Sequence, residues 1–447
     1  MVNPAKYGHI AIWRIAAPMM LSGISVPLLS LVDTAVMGHL EGPRYLAAVA
    51  IGATIFSLLF MSLNFLRMGT TGLTAQAYGA KNPEKQIAGL QQPLSVAIGI
   101  AILIIIFHAP LLNLALLLLG PSNEVAELAG QYFSIRILSA PFALANFVVI
   151  GWLLGMQNAR APLAITLILN ITNMILDIVF VIGLDMTIEG VALATLISEI
   201  LAMLVAWFFV SRTIKSAGID RGFFTWYQGE KLQRLLGVNG SLFLRTVALM
   251  FTFSFMTAQG ARIGDITLAT NALLMNLLLL LSYALDGIAH AAEALTGKAF
   301  GQRSQFHIEA AVSQTLMWSL IFAAIFSLVY FLAGPLIINT MTDIPDIRDN
   351  ANIYLPWLIA LPAAAVGSFL YDGVFVGLTR TREMCIVMML STFLVFLPSW
   401  YLTQRWDNHG LWFALILFMT LRSLGMHGWY RYLKSKHRLL SSNTPRH

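Results

Sequence analysis

The chain has 447 residues, of which 58% are hydrophobic and only 11% charged. Soluble domains carry about a quarter charged residues, so this chain cannot cover a water-facing surface and lipid must solvate most of it. The net charge of +6 does not point to nucleic acid, because the basic residues are scattered between apolar runs, and the single Cys385 excludes an intramolecular disulfide and reads as a small buried hydrophobe.

The first apolar stretch, Ile10 to Val36, is too long for a signal-peptide core and lacks a small-residue cleavage site, so it reads as a first membrane span. A span needs about 20 apolar residues. Runs at 10–36, 46–68, 91–117, 125–154, 161–183, 190–211, 237–258, 266–289, 309–334, 351–376, 384–402 and 409–429 predict an all-α membrane protein of twelve transmembrane helices. Two of these, 91–117 and 125–154, run long enough to imply tilt, kinks or extensions beyond the lipid. The stretch 212–236 is the longest polar interruption and falls midway. It divides the chain into an N-lobe (1–211, spans 1–6), a cytoplasmic linker (212–236), a C-lobe (237–429, spans 7–12) and a basic cytoplasmic tail (430–447).

Loops after odd-numbered spans carry only Arg44, Arg262, Arg348 and Arg405. The other loops and the termini carry Lys81, Lys85, Arg160, Arg212, Lys215, Arg303, Arg380, Arg382 and more, which predicts cytoplasmic termini. Arg136 and Arg245 fall within or at the ends of spans and receive no role.

An internal repeat organises the chain. Leu46–Asn82 aligns without a gap onto Leu268–Ser304 at an offset of 222 residues, with Leu73-Thr74 on Leu295-Thr296 and Ala77-Tyr78-Gly79 on Ala299-Phe300-Gly301. The same offset pairs Gly38 with Gly260, Gly42 with Gly264, Gly155 with Gly377 and Arg160 with Arg382. Agreement of glycine, arginine and loop positions at one spacing is hard to obtain from apolar composition alone. Each repeat holds an even number of spans, so both enter the membrane in the same sense. Two six-helix lobes related by a pseudo-two-fold along the membrane normal follow, with a cleft between them whose access could alternate.

Ionisable residues inside spans are costly and therefore functional candidates. They are Asp33, Asp177, Glu199, Asp286 and Asp372, whereas Asp265 and Glu293 lie at span ends. Asp33 sits near the outer end of span 1, fifteen residues beyond Pro18, which removes a backbone donor and gives that helix a bending point. In span 5, Thr166, Asn170, Asn173 and Asp177 are spaced by 4, 3 and 4 and form one polar stripe. Interhelical hydrogen bonding that merely holds the lobe together would also account for such a stripe. Thr195 in span 6 could join it; Glu199, one turn further on, has no clear role. Should Asp33 and Asp177 meet, the pair could not stay fully ionised in a low dielectric and would share one proton, titrating as a unit. With Asn173 and Thr195, the same oxygens could instead hold Na⁺. The two alternatives stay open at this point.

The repeat places Phe255 opposite Asp33 and Pro398 near the counterpart of Asp177, while Asp286 maps onto Asn64. The coupling site is therefore expected in the N-lobe, with Asn64 a supporting polar residue and Asp286 and Asp372 either a secondary, cation-attracting C-lobe site or structural groups paired with Arg or backbone. Met61, Met68, Met156, Met174, Met256 and Met275 could face the cleft, where flexible thioethers suit varied apolar ligands. There is no phosphate-binding glycine loop, no clustered metal ligands and no nucleophile triad spacing, so neither ATP hydrolysis nor other catalysis is expected, and no cofactor or bound metal.

The segments PLLSLVDTAVMGHL, FLRMGTTGLTAQAYGAKN, GWLLGMQNARAP, LNITNMILDIVF, EGVALAT and DGVFVGLTRTREM together resemble the multidrug and toxic compound extrusion family, most nearly its DinF-type branch. The resemblance spans essentially the whole chain. It implies twelve helices in two lobes, a monomer in the bacterial inner membrane, and export of cationic or amphipathic drugs by exchange with H⁺ or Na⁺. It assigns coupling to Asp33, Asn173, Asp177 and Thr195, the helix-1 kink to Pro18, and a possible cation role to Asp372. Span 7, SLFLRTVALMFTFSFM, lacks the acid that some Na⁺-coupled relatives carry, which favours protons. A lipid-linked saccharide flippase of the same architecture would need a cationic cleft, and the intramembrane charges here are mainly acidic.

Overall fold

The computed structural model describes residues 8–38, 42–219 and 231–440. Every regular element among them is helical. Among the described residues, twelve helices are long and apolar enough to cross a membrane: His9–Met37, Arg44–Gly79, Pro83–Ile106, Asn123–Gly155, Arg160–Gly183 and Ile188–Ser216 (spans 1–6), then Gly237–Ile263, Asp265–Gly301, Gln305–Met341, Pro345–Gly377, Thr381–Leu402 and Gln404–Ser435 (spans 7–12). Leucines 79% and 77% exposed, such as Leu117 and Leu118, are tenable only against lipid. The expected linker and tail lie partly outside the described residues, at 220–230 and 441–447.

Prolines explain the two long runs. Pro110 cannot donate to the carbonyl of Ile106 and its ring clashes there, so the run 91–117 is broken into span 3 and a short helix, His108–Leu119. Pro141 acts likewise on the carbonyl of Ile137, and span 4 passes through a 3₁₀ turn at Ile137–Ser139. Spans 2 and 8 extend beyond the expected 68 and 289 to Gly79 and Gly301, because the polar segments after them remain helical.

The described helices gather into two compact units, one within Leu21–Leu235 and the other from Leu236 onward together with residues 8–20. The expected N-lobe began at residue 1. The start of span 1 instead packs with the C-terminal unit: Trp13 meets Trp318 edge-on with ring centroids 5.0 Å apart, and Trp318 Nε1 donates to His9 Nδ1 at 3.1 Å. Gly287 permits this approach, since a Cβ there would lie 2.3 Å from Met20 Cγ and 3.0 Å from the carbonyl oxygen of Ala16. The division falls two residues after Pro18, inside one continuous helix.

Within each unit the backbone repeats. A Cβ on Gly151 would lie 2.4 Å from the Arg67 carbonyl oxygen, and one on Gly373 would lie 2.2 Å from that of Ala289. Gly155 against Thr74 (2.6 Å to Cβ) and Gly377 against Thr296 (2.2 Å to Oγ1) repeat the arrangement one turn on. Spans 2 and 4 thus cross backbone to backbone as spans 8 and 10 do, and both crossings require glycine. Span 3 is capped by the Asn82 side chain, which accepts from the Lys85 N–H at 2.9 Å, and span 9 by Ser304, which accepts from His307 N–H at 3.3 Å. Left-handed residues recur too: Lys81 and Arg303 (φ 51° and 56°), Gln157 and Thr379 (67° and 53°), Asp185 and Asp407 (53° and 47°). All these pairs are separated by the 222 residues of the sequence repeat.

Candidate functional site

Span 5 presents Asn170, Asn173 and Asp177 on a single buried face, each at most 4% exposed. The 3.6-residue period puts them there, and their neighbours Ile168, Ile171 and Ile175 point outward. Asn170 Nδ2 donates to Ser25 Oγ of span 1 at 2.7 Å, and Ser25 in turn donates to the Ser22 carbonyl at 2.7 Å. Asn173 Nδ2 reaches Thr195 Oγ1 of span 6 at 3.4 Å. The stripe therefore ties span 5 to spans 1 and 6. Thr166, at its other end, is only partly buried.

Asp177 closes the α-helical part of span 5, and the helix widens into a π turn, Ile178–Gly183, immediately after it. The Asp177 carboxyl group lies within hydrogen-bond reach of Asp33 from span 1. Ionised carboxylates only accept, so a bond between them needs a shared proton. Without one, Asp33 Oδ1 and both Asp177 oxygens are buried with no donor. An orphaned pair of buried acceptors is costly, and proton or cation capture relieves it. The sequence-predicted set Asp33, Asn173, Asp177 and Thr195 is thereby brought to one place.

Two charged residues around this pair were not assigned from sequence. Arg136, at the end of the helix Asn123–Arg136 in span 4, lies within Coulombic reach of Asp33, Asp177 and Glu199. Its Nη1 donates to Tyr132 Oη at 2.5 Å, and its guanidinium carbon stands 4.6 Å over the Phe56 ring. Glu199 Oε2 accepts from Asn146 Nδ2 at 2.8 Å. The intramembrane position of Arg136 was the only available signal, and a position near a span end reads first as an interfacial arginine.

Other expectations fall elsewhere. Asn64 marks the break in span 2, where its Oδ1 accepts from Arg67 Nε at 3.2 Å, so it serves the helix junction and not the span 5 stripe. Met256 is 2% exposed within the hydrophobic core of the C-terminal unit and is not available as a ligand-facing thioether; Met174 is partly buried and Met61 47% exposed.

In the C-terminal unit, Asp372 of span 10 is bridged by two arginines. Its Oδ2 accepts from Arg422 of span 12 at 2.9 Å and from Arg245 of span 7. Asp286 of span 8 is within Coulombic reach of Arg422. The expected role of Asp372 as a cation-attracting group does not fit this arrangement, because two guanidinium groups already compensate a single carboxylate. Among the described residues, no cluster of His, Cys, Asp and Glu is arranged to hold a metal ion.

A family model described as MatE matches residues 18–179 and 242–402. The DNA damage-inducible protein F of Escherichia coli strain K12 is 44% identical over 427 residues, covering 95% of this chain and 93% of its own length. The multidrug export protein MepA of Staphylococcus aureus strain MSSA476 is 19% identical, covering 93% and 91%. A solved structure described as MATE in the bent conformation superimposes with a TM-score of 0.88 at 20% identity, covering 99% of this chain and 98% of that one.

Proposed function

The chain belongs to the MatE family of transporters, and from that premise we propose that it exports cationic or amphipathic drug-like compounds in exchange for H⁺. Export of multiple drugs is carried over from MepA, whose name states it. The same reading places the protein in the bacterial inner membrane with both termini cytoplasmic, working by alternating access as a monomer. Members of this family are transporters, so no residue is assigned to bond-making chemistry.

The observation that carries the proton assignment is the meeting of Asp33 and Asp177, buried and short of donors. A proton taken from the periplasmic side joins the two carboxyl groups and draws span 1 toward span 5. Its release to the cytoplasm leaves two acceptors that repel. Because Asp33 and Ser25 lie on the same helix, beyond Pro18, that alternation acts on the shape of span 1. Drug release would accompany the protonated state and drug binding the deprotonated one.

The test is reconstituted protein under an imposed pH gradient or an imposed Na⁺ gradient, with drug movement followed by fluorescence. The pH gradient alone should drive export, and Asp33→Asn should remove drug-stimulated proton release while the protein stays folded. Exchange that persists unchanged in Asp33→Asn, or that follows only the Na⁺ gradient, would sink the assignment.

A further inference from the structure

The oxygens of Asp33, Asp177, Asn173 and Thr195 are, taken alone, as suitable for a monovalent metal cation as for a proton. A residue that separates the two lies within Coulombic reach of both carboxylates. We infer that Arg136 is the specificity determinant of this site, a built-in cation that leaves room for protons and rejects Na⁺. The inference rests on the proton-coupled reading above.

The guanidinium is fixed in place and not free to swing away. Tyr132, itself 2% exposed, accepts from Arg136 Nη1 at 2.5 Å. Phe56, fully buried, lies under the guanidinium carbon at 4.6 Å and is stacked on Phe133 with centroids 4.9 Å apart. Arg136 Nε is buried without a hydrogen-bond partner, so its charge is left to act on the carboxylates. The ionisable groups around it are Asp33 from span 1, Asp177 from span 5, Glu199 from span 6 and Tyr132 from its own helix. Glu199 is already engaged by Asn146.

A metal cation entering this site keeps its full charge next to Arg136, and in a low dielectric the two repel. A proton does not remain a separate charge. It becomes part of a neutral carboxyl group, asks for no coordination shell, and leaves the charge of Arg136 balanced by the remaining carboxylate within its Coulombic reach. The C-terminal unit, where Asp372 carries two arginines, lies further along the same scale.

The experiment measures ²²Na⁺ binding to the purified full chain for the wild type, Arg136→Gln and Arg136→Lys at a pH where the carboxylates are ionised. Arg136→Gln should bind Na⁺ about tenfold more tightly than the wild type or better, the scale on which a neighbouring like charge acts. Arg136→Lys, which keeps the charge, should bind as weakly as the wild type. If Arg136→Gln does not fold, Arg136→Met keeps an apolar stem over Phe56 and carries the same expectation. Equal Na⁺ binding in the wild type and the neutral variants, or a Lys variant that behaves like Gln, overturns the inference. Neither result touches the proton-coupled reading, which fails on separate measurements: wild-type transport that follows only a Na⁺ gradient, or exchange unchanged in Asp33→Asn.

Discussion

The two units share a scaffold and differ in charge. In the N-terminal unit three carboxylates, Asp33, Asp177 and Glu199, lie within Coulombic reach of one arginine, and the oxygens of Asp177 have no donor. In the C-terminal unit one carboxylate, Asp372, is held by two arginines. An acid whose oxygens lack donors is open to a proton; one bridged by two guanidinium groups has its partners built in and serves structure. The same helix crossings therefore support an exchangeable site in one half and a fixed ion cluster in the other. A buried acid in a membrane helix is thus not enough to identify a coupling site: its partners decide.

The comparison can be broken most severely at the acids. Asp177→Asn should lower proton-coupled exchange by about a hundredfold or more, since the shared proton has lost one of its two bases. Asp372→Asn should leave proton coupling within a few-fold of the wild type. A hundredfold loss in both variants would mean that the units are functionally alike. Stability should show the reverse order. Asp372→Asn strands two largely buried guanidinium groups and should cost about 3–5 kcal/mol in thermal unfolding in detergent. Asp177→Asn removes a charge that had no donor and should be neutral or stabilising. At the shared scaffold the units should respond alike: Gly151→Ala and Gly373→Ala each press a methyl onto a backbone carbonyl and should each cost about 1–3 kcal/mol. A large cost at one and none at the other would refute the equivalence of the crossings. The smallest effect should come from Ser25→Ala, where loss of the Asn170 partner should cost about 0.5–1.5 kcal/mol.

Much of this was legible in the sequence. Apolar run length gave the twelve spans, the 222-residue offset gave the matched crossings and turns, and the 4-3-4 spacing put Asn170, Asn173 and Asp177 on one face. These are local or periodic signals. What escaped were pairings between distant residues. Asp372 finds Arg422 across 50 residues and Arg245 across 127, and no spacing rule announces either. Arg136 was passed over because long basic side chains near span ends usually reach for water, and only the packing on Phe56 and Tyr132 shows that this one does not. Met256 was misplaced because composition cannot tell a thioether lining a cleft from one filling a core. The start of span 1, within residues 8–20, departs from the expected first lobe for a related reason: chain order does not dictate packing, and Trp13 and Gly287 attach this stretch to the C-terminal unit.

The paired glycines have a historical meaning as well as a steric one. A duplicated segment leaves two copies free to drift, and each position that still matches records a demand that drift could not satisfy in any other way. At Gly151 and Gly373, and again at Gly155 and Gly377, the demand is simply that nothing stand between two backbones. The carboxylates carry no such obligation, and there the copies have parted. The chain so holds, within a single molecule, the control experiment for its own specialisation: what both halves share is architecture, and what only one half carries is its trade.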